Sequence, residues 1–154
     1  MNYQYLDTPI GTLRLVSNGV QLVKIEFEGQ YSDSDDIAFS DAVLADSADQ
    51  LTDYFAARRR HFDLPLAARG TSFQQSVWSA LADIPYGELR SYRDIARTIG
   101  NPAAVRAVGA ANGRNPLPIV VPCHRVIGSN GTLTGFAGGL EVKRFLLRLE
   151  GMPD

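Results

Sequence analysis

This 154-residue chain is poor in cysteine and histidine, holding one Cys and two His. A single thiol cannot close an internal disulfide, and a structural zinc normally takes four Cys or His ligands, so no disulfide framework and no metal site are expected. Long apolar runs are missing too: no stretch approaches the roughly 20 residues that cross a bilayer, and Met1-Asn2-Tyr3-Gln4-Tyr5 has neither the basic start nor the apolar core of a signal peptide. The expectation is a cytoplasmic protein with no membrane partner and no cofactor. There is no basic tail and no low-complexity tract, and the sequence isoelectric point is about 5.6, whereas a nucleic-acid-binding domain often lies above about 9.

The shortage of positive charge is uneven. Residues 1–70 hold six Lys/Arg against eleven Asp/Glu, net −5, while residues 71–154 hold nine against six, net +3. Any nucleic-acid footprint must therefore be small and lie in the C-terminal half. The length suits one substantial core or two small domains. A linker read at Pro65–Gly70 divides the chain into an N-terminal α/β supporting domain, 1–70, and a C-terminal domain, 71–154.

The first 30 residues read as strands. Thr12–Val16 and Leu22–Phe27 alternate apolar and polar positions about an Asn18-Gly19 turn. Asp33-Ser34-Asp35-Asp36 is a polar loop. From Asp41 to about Arg58, apolar residues recur at helical intervals, and Arg58-Arg59-Arg60 falls at the helix end where the dipole favours cations. That triplet reads either as a solvated helix terminus or as a DNA patch.

In the second half, Thr71-Ser72 caps a helix with Phe73, Val77 and Leu81 on one face, ended by Pro85-Tyr86-Gly87. Ser91 and Asp94 form a capping-box start for a helix that Gly100 stops; Asn101 is expected to cap the next helix, with Pro102 in its first position. Two short helices joined so tightly predict a helix-turn-helix. In the second of them, Ala104, Val105, Val108 and Ala111 form an apolar stripe, and Arg106 stands alone among Pro102, Ala103, Gly109 and Ala110. A strip of such small side chains suits close approach to another backbone, either a packed helix or DNA. The chain closes on a helix with Leu140, Val142, Phe145, Leu146 and Leu149, ending at Glu150-Gly151.

The sole cysteine lies in Pro118-Ile119-Val120-Val121-Pro122-Cys123-His124-Arg125-Val126. A lone cysteine is most often a small buried hydrophobe. The two prolines and the β-branched run between them instead predict a stiff extended element that delivers Cys123 at a strand end, beside an imidazole able to raise its thiolate fraction. The run Pro122–Val126 resembles the active-site signature of the O6-alkylguanine-DNA alkyltransferases. Phe73-Gln74 with Val77-Trp78, Ile84-Pro85-Tyr86-Gly87, Ser91-Tyr92, Gly100-Asn101-Pro102 and Arg106-Ala107-Val108-Gly109 follow in the family's order and spacing.

The resemblance is strong over 71–151 and weak by motif over 1–70. It implies an α/β (α+β) protein: a small ribonuclease-H-like N-terminal domain, and a mainly helical, winged-helix-like C-terminal domain with a helix-turn-helix and three strands. It implies a methylated-DNA–protein-cysteine S-methyltransferase, a suicide repair protein that moves an alkyl group from O6-alkylguanine in double-stranded DNA to Cys123 in a single turnover. By the same resemblance, His124 removes the thiol proton through a bound water, Glu150 orients the histidine, Asn115 ties the hinge before Pro116, and Tyr92 donates to the leaving guanine. Arg106 fills the space of a flipped nucleotide, Ala103 and Gly109 border the minor groove, and Asn101 and Ser129 contact the backbone.

One departure concerns the substrate pocket. Phe136 stands where many relatives have tyrosine, and Ala137 where some have serine; the smaller Ala137 leaves room for bulkier alkyl groups or O4-alkylthymine. The protein is expected to be a monomer, with cooperativity on DNA left open. The competing reading is a non-catalytic lesion-binding or regulatory helix-turn-helix protein, but relatives known only to bind lesions replace the cysteine that this chain keeps. A cysteine hydrolase would need an oxyanion hole, of which the sequence gives no independent sign.

Overall fold

Turn chemistry at Thr8–Gly11 and Asn18–Gln21 folds the start of the chain into an antiparallel meander of β1 (Asn2–Thr8), β2 (Gly11–Ser17) and β3 (Leu22–Glu26). The second loop is longer than an Asn-Gly turn alone: the Asn18 side chain accepts from the backbone N–H of Val20 at 3.0 Å and Gln21 at 2.8 Å. A two-residue strand, β4 (Ile37–Ala38), runs parallel to β1, giving the sheet order β3-β2-β1-β4. The structure, a computed structural model, describes residues 1–152. It divides into two units, Met1–Arg69 and a second beginning at Gly70.

In the first unit, helix α1 (Ala42–Phe55) starts where the Asp41 carboxylate accepts from the Leu44 N–H at 2.8 Å, and it lays Leu44, Leu51 and Tyr54 into a core shared with Leu13, Leu15, Leu22 and Ile25. Two expectations need correction. The helix ends at Phe55, with no basic residue in its last turn, so Arg58-Arg59-Arg60 lies beyond it; Arg58 pairs with exposed Asp53 at 3.1 Å, and Arg59 donates to the His61 carbonyl. The Pro65–Gly70 stretch is not a free linker, because Leu22 donates to Pro65 and Ala67 donates to Leu22, docking residues 65–67 beside β3.

The alternation read in β2 also conceals a buried cation. Arg14 is 5 % exposed; the polar loop folds over it, and its guanidinium reaches the Ser32 carbonyl at 2.9 Å, Asp36 at 3.4 Å and the face of Tyr3 at 4.3 Å. The loop thus supplies the partners that a buried charge requires.

In the second unit, α2 (Ser72–Ala82) and α3 (Tyr92–Thr98) both begin with complete capping boxes, Thr71 with Gln74 and Ser91 with Asp94. Gly100 takes φ +76°, which lets the chain reverse after α3. The next helix starts later than expected: α4 is Val105–Gly113, with Ala104 at its cap and no side-chain capping bond. Residues 101–104 form a turn closed by Ala104 N–H to the Asn101 carbonyl at 3.0 Å. Asparagine followed by proline signals the first two positions of a β-turn as well as a helix start, and here the turn prevails. Pro102 and Ala103 therefore precede the helix instead of sharing its face with Arg106.

Val77, Trp78, Leu81, Ile95, Val108 and Ala111 pack the three helices together, and the Trp78 indole donates to the Ala111 carbonyl at 2.8 Å. Two short parallel strands, β5 (Arg90–Ser91) and β6 (Val126–Ile127), make the only sheet of this unit among the described residues, two-stranded where three strands were expected. Helix α5 (Leu140–Leu149) closes it, with Gly151 at φ +90° immediately beyond the Glu150 cap.

Candidate active site and nucleic-acid surface

The approach to the thiol is not extended. Between Pro118 and Pro122 the chain turns back on itself: Val121 donates to the Leu117 carbonyl at 2.8 Å, and Ile119 sits at φ +75°. A β-branched residue in the left-handed region is strained by about 1–3 kcal/mol and persists only where its surroundings fix it. Asn115 does so here, donating to the Val121 carbonyl at 2.8 Å and accepting from the Leu117 N–H at 3.0 Å. The turn feeds a single 3-10 turn, Cys123–Arg125, so Cys123 lies on a helical turn and not at a strand end.

Cys123 is 4 % exposed. Burial pushes its thiol up to about 11, opposed by the Asn115 amide and the positive charge of Lys143. The resting group is therefore a thiol that needs a base. His124, fully buried, places Nε2 2.6 Å from a Glu150 carboxylate oxygen, while its Nδ1 has no hydrogen-bond partner among the described residues. Burial holds the imidazole below its ordinary 6.5 even with the Glu150 hydrogen bond and charge favouring the cation, and Arg125 and Lys143 also disfavour it. A neutral histidine with a free nitrogen, backed by a carboxylate, can take up a proton.

Glu150, at the end of α5, would be poorly placed against the helix dipole if it stood alone. Arg125 offsets that, donating to it from Nε at 2.7 Å and from Nη2 at 3.1 Å, while Nη1 donates to the Ile84 carbonyl at 2.6 Å. The same carboxylate accepts from Gly87 N–H at 3.4 Å, and the Tyr86 hydroxyl donates to the Leu149 carbonyl. The motif Ile84-Pro85-Tyr86-Gly87 is thus the wall behind the His–Glu–Arg set.

Sequence reasoning missed four participants. Arg125 was in the motif, but only its distant partners reveal its role. Asn112, on the last turn of α4, donates to the Cys123 carbonyl at 3.5 Å. Trp78 fixes the same helix end. Lys143 is fully buried on α5, and its Nζ donates to the carbonyls of Val126 and Thr134. A signal for it existed: Lys143, Leu146, Leu147 and Glu150 follow helical spacing, and they are the buried face of α5, whereas Leu140 is 39 % exposed and Val142, Phe145 and Leu149 are half-buried.

The remaining predicted site residues lie at or near the surface. Arg106, Asn101, Ala103 and Ser129 are exposed, and Gly109 is half-buried. The ring of half-buried Tyr92 lies about 4.0 Å from where a side chain on Gly109 would begin, and its hydroxyl accepts from Thr134 at 3.2 Å. Tyr92, Val105, Ser129 and Thr134 line an open cavity of about 390 Å³. Phe136, half-buried, and Ala137, exposed, lie on the loop before α5 and are not among its walls. Among the described residues, no group of side chains could hold a metal, and no helix is long and apolar enough to cross a membrane.

The second unit thus joins a helix-turn-helix, through Asn112, to a buried thiol with a His–Glu–Arg set behind it. Residues 1–68 match the family described as 6-O-methylguanine DNA methyltransferase, ribonuclease-like domain, and residues 72–152 match its DNA binding domain. The methylated-DNA–protein-cysteine methyltransferase of Methanosarcina acetivorans is 48 % identical, over 98 % of this chain and 99 % of that protein. The crystal structure of Mycobacterium tuberculosis OGT in complex with DNA superposes with a TM-score of 0.93 at 49 % identity, covering 97 % of this chain and 92 % of that one. Schizosaccharomyces pombe Atl1, in complex with damaged DNA containing O6-carboxymethylguanine, matches 55 % of this chain and 81 % of its own at 36 % identity, with a TM-score of 0.50. The chain belongs to the 6-O-methylguanine DNA methyltransferase family.

Proposed function

We propose that this protein repairs alkylated DNA by moving the alkyl group of O6-alkylguanine irreversibly onto its own Cys123. The observation that carries the reading is the buried His124–Glu150 contact of 2.6 Å beside the only thiol of the chain. His124 Nδ1 takes the thiol proton through a water, and the carboxylate, held by Arg125, stabilises the imidazolium that results. The thiolate attacks the alkyl carbon; the C–S bond forms as the C–O6 bond breaks, and the electron pair leaves with guanine, whose ring accepts a hydrogen bond from the Tyr92 hydroxyl. A thioether has no ready route back, unlike the reversible rungs of cysteine oxidation, so each molecule acts once.

The reacting carbon lies inside the duplex stack, so the nucleotide must be flipped out, at a cost of a few kcal/mol. Exposed Arg106 on α4 fills the gap, Ala103 and Gly109 border the minor groove, and Asn101 and Ser129 hold phosphates, a readout nearly independent of sequence. Residues 71–154 bind and react; residues 1–70 support them. The loop carrying Phe136 and Ala137 sets the alkyl-group preference and leaves O4-alkylthymine admissible. The setting of this repair is the cytoplasm.

Intact-mass measurement after incubation with duplex DNA holding O6-methylguanine tests the reading. One added methyl group per molecule, on Cys123, with no further turnover, is expected. Multiple turnovers, or modification elsewhere, refute it. Binding without any mass change favours the lesion-binding reading instead.

A further inference from the structure

Gly151, at φ +90°, ends α5 in a Schellman motif: its N–H donates to the Arg148 carbonyl and the Met152 N–H to the Leu147 carbonyl, both at 2.9 Å, which folds Met152 back over the helix end. Across from it, the loop after β6 closes with the Gly128 N–H on the Thr132 carbonyl at 2.9 Å and returns Leu133 to the side of Ile127. Between these two turns lies a cavity of about 230 Å³ walled by Leu89, Ile127, Leu133, Leu147 and Met152, with Arg144 and Arg148 also in its lining. None of these residues takes part in the chemistry at Cys123.

Size and charge together select an occupant. Apolar walls favour an apolar guest, and pockets that enclose a drug-sized molecule run to about 300–1,000 Å³, so this smaller one suits a single large side chain of a partner. The lining holds two guanidinium groups and no carboxylate; Glu88, beside Leu89, pairs with Arg90 at 3.1 Å. Arg144 and Arg148 stand one helical turn apart, where like charges repel, and exposed Arg144 makes no hydrogen bond or ion pair among the described residues. A nucleic-acid backbone offers phosphates but no apolar side chain to fill the cavity, whereas an acidic peptide with an apolar anchor supplies both needs.

We infer that this groove is a docking site for an acidic segment of a partner protein, with one large apolar side chain seated against Leu133, Leu147 and Met152 and flanking carboxylates on Arg144 and Arg148. On the reading of the Tyr92 face as the DNA side, the groove stays open on a bound duplex. It shares no wall residue with the cavity bordered by Tyr92 and Ser129, and the loop divides between the two: Gly131 and Leu133 line the groove, Thr132 and Thr134 the other cavity.

NMR titration of the methyl-labelled protein with a capped pentapeptide, phenylalanine between two pairs of aspartates, tests this. Shifts are expected at the methyl groups of Ile127, Leu133, Leu147 and Met152. The double variant Arg144→Glu/Arg148→Glu, changed only at exposed positions, should melt close to the wild type and bind the peptide at least about tenfold more weakly, because two attractions become repulsions. Exchanging the aspartates for asparagines should weaken binding similarly, and exchanging phenylalanine for serine should remove the methyl shifts. No binding, binding that survives the charge reversal, or shifts that map elsewhere overturn the inference. Saturating duplex DNA should leave the peptide shifts in place, and the double variant should keep its duplex affinity; loss of either would assign the two arginines to the DNA surface and also overturn it. Failure of the repair reading shows separately, as no mass gain on alkylated DNA, while the peptide titration needs neither lesion nor duplex.

Discussion

Lys143 and Glu150 lie two helical turns apart on the same buried face of α5, carry opposite charges, and are each bonded elsewhere: Lys143 to the carbonyls of Val126 and Thr134, Glu150 to His124 and Arg125. One helix therefore brings both a cation and an anion to the segment around the Cys123–Arg125 turn: the anion bonds His124 and Arg125 within it, and the cation bonds the carbonyl of Val126 just past it.

Glu150→Gln should harm both chemistry and stability. It removes the charge that supports a protonated His124, so transfer from free O6-benzylguanine should slow far more than DNA affinity falls. It also leaves the Arg125 guanidinium, 6 % exposed, without its counter-charge; breaking a buried pair typically costs about 3–5 kcal/mol. Stopped-flow rates, duplex binding and a denaturant titration separate the effects. Equal losses in rate and affinity would mean a structural role only.

The pH profile follows from the histidine. Because burial holds His124 below 6.5, its base form is present at pH 7, and the transfer rate should persist as pH falls past 6.5, declining only at the lower value the folded protein imposes. Stability follows the same sign. The unfolded chain binds the proton first, so the contribution is complete above 6.5 and is lost as pH falls through the folded value. A rate that halves at or above pH 6.5 would show that the imidazole is not held neutral.

Arg106→Ala should slow repair of duplex DNA and largely spare reaction with free O6-benzylguanine, which requires no flipping. A slightly shallower salt dependence of binding is expected if the guanidinium meets a phosphate. The ratio of the two alkylation rates, mutant against wild type, is the measurement. A common fall would place Arg106 in support of the reactive site.

Gly109→Ala should separate folding from DNA contact. A methyl there meets the Tyr92 ring at about 4.0 Å, an ordinary contact, and alanine in a helix interior is favoured over glycine by up to about 1 kcal/mol. The variant should therefore melt at an equal or higher temperature, react normally with the free base, and bind duplex DNA more weakly. Unchanged duplex affinity would remove Gly109 from the interface.

What the sequence determined alone was local or carried by short motifs. Thr71 with Gln74, Ser91 with Asp94, Asp41, Gly100 and Gly151 mark their helix ends because caps and left-handed turns depend on neighbouring residues. The thiol and its imidazole were legible because they are adjacent in one distinctive run. The tertiary structure decided the rest. Pro118–Pro122 reads as extended, yet Asn115 bends it; Asn101-Pro102 reads as a helix start, yet makes a turn; Arg14 reads as solvent-facing, yet lies under a loop. Above all, hydrophobic periodicity chose the wrong edge of α5, because it treats Lys143 and Glu150 as surface residues. A charge can be buried only when its partners are in place, and those partners, Arg125, Val126 and Thr134, arrive from other elements at separations that no periodic pattern records.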